Sequence, residues 1–157
     1  MVKTNCNHDK IRILGKIYIF NQNLTIGRNV TLYPGVMFAG GGPIRIGDNT
    51  KIGNNTIIYA SVGGGVTIGS HTAIAADCYI IDADHGTKKG EFVDEQEMVV
   101  KKVEIGDNVW LGTHVVVLKG AKINSGAVVG AMSLVNSEMK QESINVGIPA
   151  KFIKDKY

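Results

Sequence analysis

Aliphatic residues recur at every sixth position along most of the chain. The spacing runs through Ile26, Leu32 and Phe38, and it starts again at Ile46 and at Ile68. An amphipathic helix needs apolar residues every three or four positions and a half-buried strand needs them at every second, so a sustained period of six predicts neither. It indicates a repeat architecture, in which each short segment buries its apolar side chain by stacking on the next.

The six-residue pattern is itself repeated after eighteen residues. The aligned pairs are Ile105 with Ile123, Leu111 with Val129, and Val117 with Val135. Three hexads per turn predict a prism with three flat faces, in which each inward aliphatic side chain contributes about 1.5–3 kcal/mol of burial. Glycine, asparagine and aspartate fill the turns, where they tolerate positive φ. The predicted fold class is all-β, a parallel β-helix wound as a triangular solenoid.

We interpret residues 1–157 as a single domain, as the length suggests. Residues 1–20 form an N-terminal cap, with a strand over 11–20 that opens the stack. Hexapeptide coils occupy residues 21–85 and 103–136, and the non-repeating residues 86–102 form a protruding loop between them. Residues 137–157 form a C-terminal capping segment, in which we expect a loop at residues 147–149 and then a short helix.

Composition narrows the classes of function. The formal net charge of +3 suits an anionic small ligand, and without a concentrated basic patch it argues against nucleic acid. Cys6 and Cys78 lack metal-ligand spacing, and we interpret both as free thiols of a reducing compartment. The stretch IRILGKIYIF is too short and too charged for a transmembrane segment or a signal peptide. We therefore expect a cytoplasmic protein.

Three stretches resemble the hexapeptide-repeat acyltransferases, specifically the branch of maltose, galactoside and surface-polysaccharide O-acetyltransferases. Residues 103–135 resemble the family's final coils, VGIPAKFIK resembles its closing tail, and IIDADHG resembles the stretch that carries its catalytic histidine. The resemblance covers roughly residues 20–154. It implies a left-handed parallel β-helix, a homotrimer with active sites between neighbouring subunits, and acetyl-CoA as co-substrate without a metal.

The resemblance implies that His85 is the general base, and Asp82 or Asp84 could orient its ring. Histidine suits the role because its ordinary pKa lies near neutrality. His8 is interpreted as part of the polar N-terminus, whereas His71 and His114 occupy equivalent turn positions of their hexads. Because Cys78 takes an inward hexad position, we expect direct transfer and no acyl-enzyme.

Other site residues are assigned from the same resemblance. The predicted cofactor-binding residues are Gly112, Thr113, Gly130, Ala131, Ser133, Lys151 and Lys154, and the predicted acceptor-binding residues are Asn55 and Trp110. Backbone N–H groups near Gly112, Thr113 or Gly130–Ala131 are expected to hold the oxyanion. Each of these residues also has a purely structural interpretation. The small residues could pack within the hexads, Asn55 could be a turn asparagine, Trp110 could pack between subunits, and the lysines could be solvated charges.

Several alternatives stay open at this point. The acceptor could be an amino sugar, often nucleotide-linked, instead of a saccharide hydroxyl. Only about twenty residues precede the hexads, which favours O-acetylation, because those N-acetyltransferases commonly carry a further N-terminal domain. A catalytically inactive β-helix scaffold is the non-enzyme alternative. A zinc carbonic anhydrase would need three well-spaced histidine ligands, and the sequence has no H-x4-H pair. The loop 86–102 is expected to cover a neighbouring site and select a polar acceptor.

Overall fold

The computed structural model describes residues 11–157, and the predicted cap at residues 1–10 lies outside them. Short parallel strands build the three faces of a prism. The first face contains β1 (Arg12–Ile13), β4 (Thr31–Leu32), β7 (Lys51–Ile52), β10 (Ala73–Ile74), β15 (Trp110–Leu111), β18 (Val128–Val129) and β21 (Ser143–Gly147). The second face contains β2 (Tyr18–Ile19), β5 (Met37–Ala39), β8 (Ile57–Tyr59), β11 (Tyr79–Ile81), β16 (Val116–Val117) and β19 (Leu134–Val135). The third face contains β3 (Leu24–Ile26), β6 (Ile44–Ile46), β9 (Val66–Ile68), β14 (Val103–Ile105), β17 (Lys122–Ile123) and β20 (Glu138–Met139).

Each coil of the solenoid contributes one strand to each face in turn. We number the coils 1 to 6 from the N-terminus, and β21 begins a seventh. The first corner lies between the first and second faces, the second corner between the second and third, and the third corner leads into the next coil. The regular coils run further than the repeats predict, since they begin at Arg12 and include Glu138–Met139.

The core is a stack of aliphatic side chains along the prism axis. On the second face, Phe38, Ile58, Ile80 and Val117 lie over one another in register and are fully buried. The small or β-branched residues of each hexad, such as Val36 and Cys78, are buried at the corners. Hydrophobic burial therefore explains the period of six, because every hexad places one side chain on the axis.

The outward side chains differ sharply between the faces. On the third face the outward row is polar: Thr25, Arg45, Thr67, Glu104, Lys122 and Glu138. On the second face it is apolar or aromatic: Tyr18, Met37, Ile57, Tyr79, Val116 and Leu134. A second outward row on that face contains Ala39, Tyr59 and Ile81. The second face is thus a continuous apolar surface on the chain, which marks an interaction site.

The C-terminal segment contains no helix, so the prediction of a short helix there is wrong. β22 (Ala150–Asp155) turns back after Pro149 and pairs antiparallel with β21. The backbone of β21 already continues the first face, and its free edge accepts one more strand. The aromatic and β-branched residues Phe152 and Ile153 favour this extended conformation. No helix within residues 11–157 is long and apolar enough to cross a membrane.

The chain leaves the prism once, at the second corner of coil 4. Between β11 and β14 it forms β12 (Ala83–Asp84), a 3-10 helix at Val93–Glu95 and β13 (Val99–Val100), which pairs antiparallel with β12. The predicted loop of residues 86–102 therefore has some structure of its own. We refer to residues 82–102 as the corner loop.

Candidate active site

His85 lies at the second corner of coil 4, directly after β12, and is exposed. The same corner is widened in the coils below. There Asn21 donates its side-chain amide to the carbonyl oxygens of Gly40 and Gly42, at 2.9 and 2.8 Å. The glycine-rich segments at residues 40–43 and 63–65, which interrupt the hexads, are therefore bulges stacked at one corner. They lead upward to the corner loop and the histidine at its start.

Asp82 is fully buried beneath His85 and fixes the next bulge. Its Oδ1 accepts a hydrogen bond from the backbone N–H of Ser61 at 2.8 Å, and its Oδ2 accepts one from Gly65 at 2.6 Å. A Cβ atom on Gly64 would lie 2.3 Å from the same Oδ2, so only glycine leaves room for the carboxylate. Asp82 therefore joins coils 3 and 4, and its hydrogen bonds do not go to His85, which it was predicted to orient.

We expect Asp82→Ala to lower the free energy of unfolding by about 2–4 kcal/mol, because two backbone donors lose a buried, charged acceptor. Urea denaturation followed by circular dichroism measures the change. Asp82→Asn, which keeps one acceptor oxygen, should lose less. An unchanged urea midpoint in the alanine variant would contradict this structural role.

Asp84 points away from the interior and forms an ion pair with Lys119 of coil 5. The Asp84 Oδ2 to Lys119 Nζ distance is 2.5 Å, and the two side chains are 44% and 28% exposed. Among the described residues, the side-chain partner of Asp84 is Lys119 and not His85. An interaction of Asp84 with His85, as predicted, would therefore compete with its ion pair to Lys119.

The corner loop is organised by Gln96, a residue that no sequence motif singles out. Its Oε1 accepts the N–H of Lys88 at 2.7 Å, and its Nε2 donates to the carbonyl oxygens of Lys88 and Glu91 at 3.2 and 3.1 Å. A Cβ atom on Gly86 would lie 2.6 Å from Gln96 Oε1. The backbone that follows His85 is thus packed against a buried amide.

The predicted cofactor and acceptor residues lie elsewhere on the prism. Asn55 is at the first corner of coil 3, and Gly112 and Thr113 are at the first corner of coil 5. Gly130 and Ala131 lie at the same corner one coil higher. Trp110 projects from the first face beside this corner and is 57% exposed. All of them are separated from His85 of the same chain by the width of the second face.

Two predicted cofactor-binding residues, Ser133 and Thr113, already use their side-chain hydroxyls in hydrogen bonds within the chain. Ser133 is buried, and its hydroxyl accepts the N–H of Gly147 at 3.0 Å, so its side chain serves the fold. The hydroxyl of Thr113 donates to the carbonyl of Ala76 at 2.9 Å. Lys151 and Lys154 are exposed on β22.

The predicted oxyanion donors at the first corner are backbone N–H groups, and only some of them already donate a hydrogen bond to a backbone carbonyl. The N–H groups of Gly112 and Gly130 donate to Val129 and Asn145 at 2.8 and 2.9 Å. Those of Thr113 and Ala131 donate to no backbone carbonyl within residues 11–157. Of the four predicted oxyanion donors, these two remain available to a ligand.

Cys78 is buried at the first corner of coil 4, and its Sγ lies 3.2 Å from the carbonyl oxygen of Gly112. Burial raises the pKa of the Cys78 thiol, which disfavours the nucleophilic thiolate. Within the described residues, no group of three or more His, Cys, Asp and Glu side chains is arranged to hold a metal ion.

Comparison with known proteins gives two family matches. Residues 102–137 match the family "Bacterial transferase hexapeptide (six repeats)", and residues 43–81 match "Hexapeptide repeat of succinyl-transferase". The chain is 36% identical over 148 residues to the putative lipopolysaccharide biosynthesis O-acetyl transferase WbbJ of Escherichia coli, covering 87% of this chain and 74% of the relative. It is 32% identical to the galactoside O-acetyltransferase of the same organism, covering 83% and 63%.

Solved structures share the fold. The N-acyltransferase AntD from Bacillus cereus, in complex with dTDP and 3-hydroxybutyryl-CoA, superposes with a TM-score of 0.80 at 23% identity, covering 92% of this chain and 79% of AntD. A galactoside acetyltransferase in complex with coenzyme A superposes with a TM-score of 0.63 at 23% identity, covering 93% and 64%. These likenesses confirm the predicted fold class, a left-handed parallel β-helix.

Proposed function

Because the chain belongs to the hexapeptide-repeat acetyltransferases, we propose that it transfers an acetyl group from acetyl-CoA to a hydroxyl of a saccharide, with His85 as general base. The observation that carries the proposal is the position of His85. It is an exposed imidazole at the start of a loop whose backbone is hydrogen-bonded to Gln96. It lies at the corner where the glycine bulges of the lower coils are stacked. Acetyl-CoA is the co-substrate, and a cytoplasmic location would give the protein access to it.

The apolar second face supports a homotrimer. Its outward row contains tyrosine, methionine, isoleucine, valine and leucine along its whole height, whereas the third face carries alternating charges. Three chains with their second faces turned towards a common three-fold axis would bury this surface in a closed ring. The polar third faces would then remain in water.

This arrangement also completes the active site. When three prisms turn one face towards a common axis, the first corner of each chain meets the second corner of its neighbour. A seam in this trimer would therefore combine His85 of one chain with Asn55, Gly112 and Ala131 of the next. Within one chain the two corners are about six residues apart, as between Asp77 and Ala83, and so are separated by as much as ~20 Å.

The order of coils along the seam suggests where each substrate binds. The small residues Gly112, Gly130 and Ala131 belong to coils above His85, where they leave room for the pantetheine arm, and Lys151 and Lys154 lie near the top of the first face. Asn55 lies one coil below His85, on the acceptor side. Trp110 flanks the first corner and would contact the acceptor or the thioester from the neighbouring chain.

The chemistry is a direct transfer. His85 takes the proton of the acceptor hydroxyl as its oxygen bonds to the thioester carbonyl carbon. The N–H groups of Thr113 or Ala131 stabilise the oxyanion. The carbon–sulfur bond then breaks, and the imidazolium returns the proton to the thiolate of CoA. Cys78 takes no part, because it is buried with a raised pKa.

A second acceptor class has specific support. AntD, the N-acyltransferase with a TM-score of 0.80, has the same fold, and its structures include one with dTDP-4-amino-4,6-dideoxyglucose and coenzyme A. An amino sugar is therefore the alternative acceptor. The O-acetyltransferase names of the sequence relatives favour the hydroxyl.

An acceptor panel tests the proposal. Free thiol release from acetyl-CoA is followed with neutral saccharides, nucleotide-linked sugars and their amino counterparts. We expect turnover with a saccharide hydroxyl, and mass spectrometry with mild alkaline hydrolysis distinguishes a labile O-acetyl ester from a stable N-acetyl amide. Turnover only with amino sugars would favour the alternative. Failure of the protein to bind CoA at all would favour the inactive scaffold.

A further inference from the structure

The first corner carries one acidic residue in a stacked ladder of turns. The ladder consists of Gly35, Asn55, Asp77, His114 and Met132, each with φ between 55° and 83°. Asp77 is exposed and belongs to coil 4, the coil that carries His85 at its other corner. Its Oδ1 accepts a hydrogen bond from Asn55 Nδ2 at 3.2 Å. The Asp77 carboxylate is therefore held at the edge of the apolar second face.

Within residues 11–157, the two aspartates next to His85 in the sequence are already engaged with other partners. Both oxygens of Asp82 accept backbone N–H groups of the bulge below, and Asp84 is paired with Lys119. An imidazole that acts as a base normally needs a hydrogen-bond acceptor on its second nitrogen, which fixes the tautomer and the ring orientation. The neighbouring chain is therefore a candidate source of that acceptor.

Rotation about a three-fold axis moves a residue around the axis but not along it. The neighbour's Asp77 therefore stays at the height of coil 4. Between Asp77 and Ala83 the chain climbs about one third of the ~4.8 Å spacing between coils. Among the first-corner residues of the neighbouring chain, Asp77 therefore lies closest in height to His85. Asn55 lies one coil below it and His114 one coil above.

We propose that Asp77 of one chain is the positioning residue for His85 of the neighbouring chain. Its carboxylate accepts a hydrogen bond from one ring nitrogen across the seam and turns the other nitrogen towards the acceptor hydroxyl. Asp77 acts through His85 and takes no proton itself. The inference rests on the proposed function and adds a residue to the same site.

The first test is Asp77→Asn. Asparagine tolerates the positive φ of 60° at this turn and keeps an oxygen for Asn55, so the fold is preserved. Carboxylates that orient metal-bound imidazoles typically contribute about 10- to 100-fold, and by the same positioning effect we expect kcat to fall by about that factor while KM for acetyl-CoA stays constant. His71→Asn is the matched control, because it changes the equivalent positive-φ turn position at the third corner, where coil 3 leads into coil 4, and should leave activity unchanged.

The decisive test is complementation between chains. Asp77→Asn and His85→Ala chains are co-expressed with different affinity tags, and trimers that carry both tags are purified. In either mixed composition one seam in three joins a native His85 to a native Asp77, so activity should return to about one third of the wild-type rate. Size-exclusion chromatography with light scattering confirms that the mixed species is a trimer.

Three outcomes separate the claims. Wild-type activity of Asp77→Asn would overturn the assignment, and so would a mixed trimer no more active than the average of its two parents, since the pair would then act within one chain. Wild-type activity of His85→Ala, in contrast, would remove the base itself and the proposed function with it.

Discussion

His85→Ala is expected to lower kcat for acetyl transfer by about 10²–10⁴-fold, the usual contribution of a positioned general base. The side chain is exposed after β12, so its removal leaves no cavity in the core and the coils should be unaffected. Thiol release at saturating acetyl-CoA and acceptor measures the loss. Because the base acts on the acceptor, binding of CoA should persist in the variant, and a thermal shift with CoA checks this.

The matched control for this variant is His71→Asn, which removes an imidazole from the third corner, in the turn that leads from coil 3 into coil 4. Its ring nitrogen Nε2 lies 3.2 Å from Asn49 Nδ2, in a ladder far from the second corner. We expect its turnover to equal that of the wild type. Undiminished turnover of His85→Ala would contradict the assignment of the base.

Ile57→Lys is expected to dissociate the trimer and to abolish turnover, with a loss of at least about 100-fold. Ile57 lies at the centre of the outward row on the second face, between Met37 and Tyr79 of the adjacent coils. Three lysine ammonium groups would be brought together in an apolar contact, and burying such unpaired charges is strongly unfavourable. Since each seam needs two chains, activity should disappear with the trimer.

The control places the same charge on another face. Thr67→Lys changes the equivalent outward position of the third face, where Arg45 and Glu104 are the neighbours, and should remain trimeric and active. Light scattering gives the mass of each variant, and far-UV circular dichroism shows whether the solenoid is intact. An Ile57→Lys protein that stays trimeric and active would refute the second face as the interface.

The coils could be predicted because inward positions must repeat with the period of the prism. Ile26, Ile46 and Ile68, for example, all belong to the third face and point inward. The apolar outward row was also present in the sequence, since Tyr18, Ile57 and Tyr79 each precede an inward residue by one. The repeat consensus does not reveal this row, because it describes only the inward and turn positions.

The partners of the acidic residues could not be predicted. Asp82 accepts hydrogen bonds from residues 17 and 21 positions earlier, and this register depends on how many residues the bulge at 61–65 inserts. Asp84 pairs with Lys119, 35 residues later, after the corner loop. Contact partners within one coil can be predicted because the hexad spacing is regular. Partners in different coils cannot, because their register depends on every insertion that separates them.

The C-terminal strand β22 and the organisation of the corner loop could not be predicted for a related reason. β22 is a strand because β21 offers a free edge, and the edge exists only once the first face is assembled. Gln96 is one polar residue among several in residues 86–102. Its importance arises from three hydrogen bonds to backbone groups that only the folded loop brings together.

If the site is built between copies of the chain, CoA binding depends on the trimer, and a calorimetric titration with CoA measures that dependence. The wild-type trimer and the Ile57→Lys protein are titrated under the same conditions. We predict that the trimer saturates at one CoA per chain and that the folded, dissociated variant binds none at those concentrations. A monomeric variant that binds CoA with the affinity of the wild type would contradict the claim.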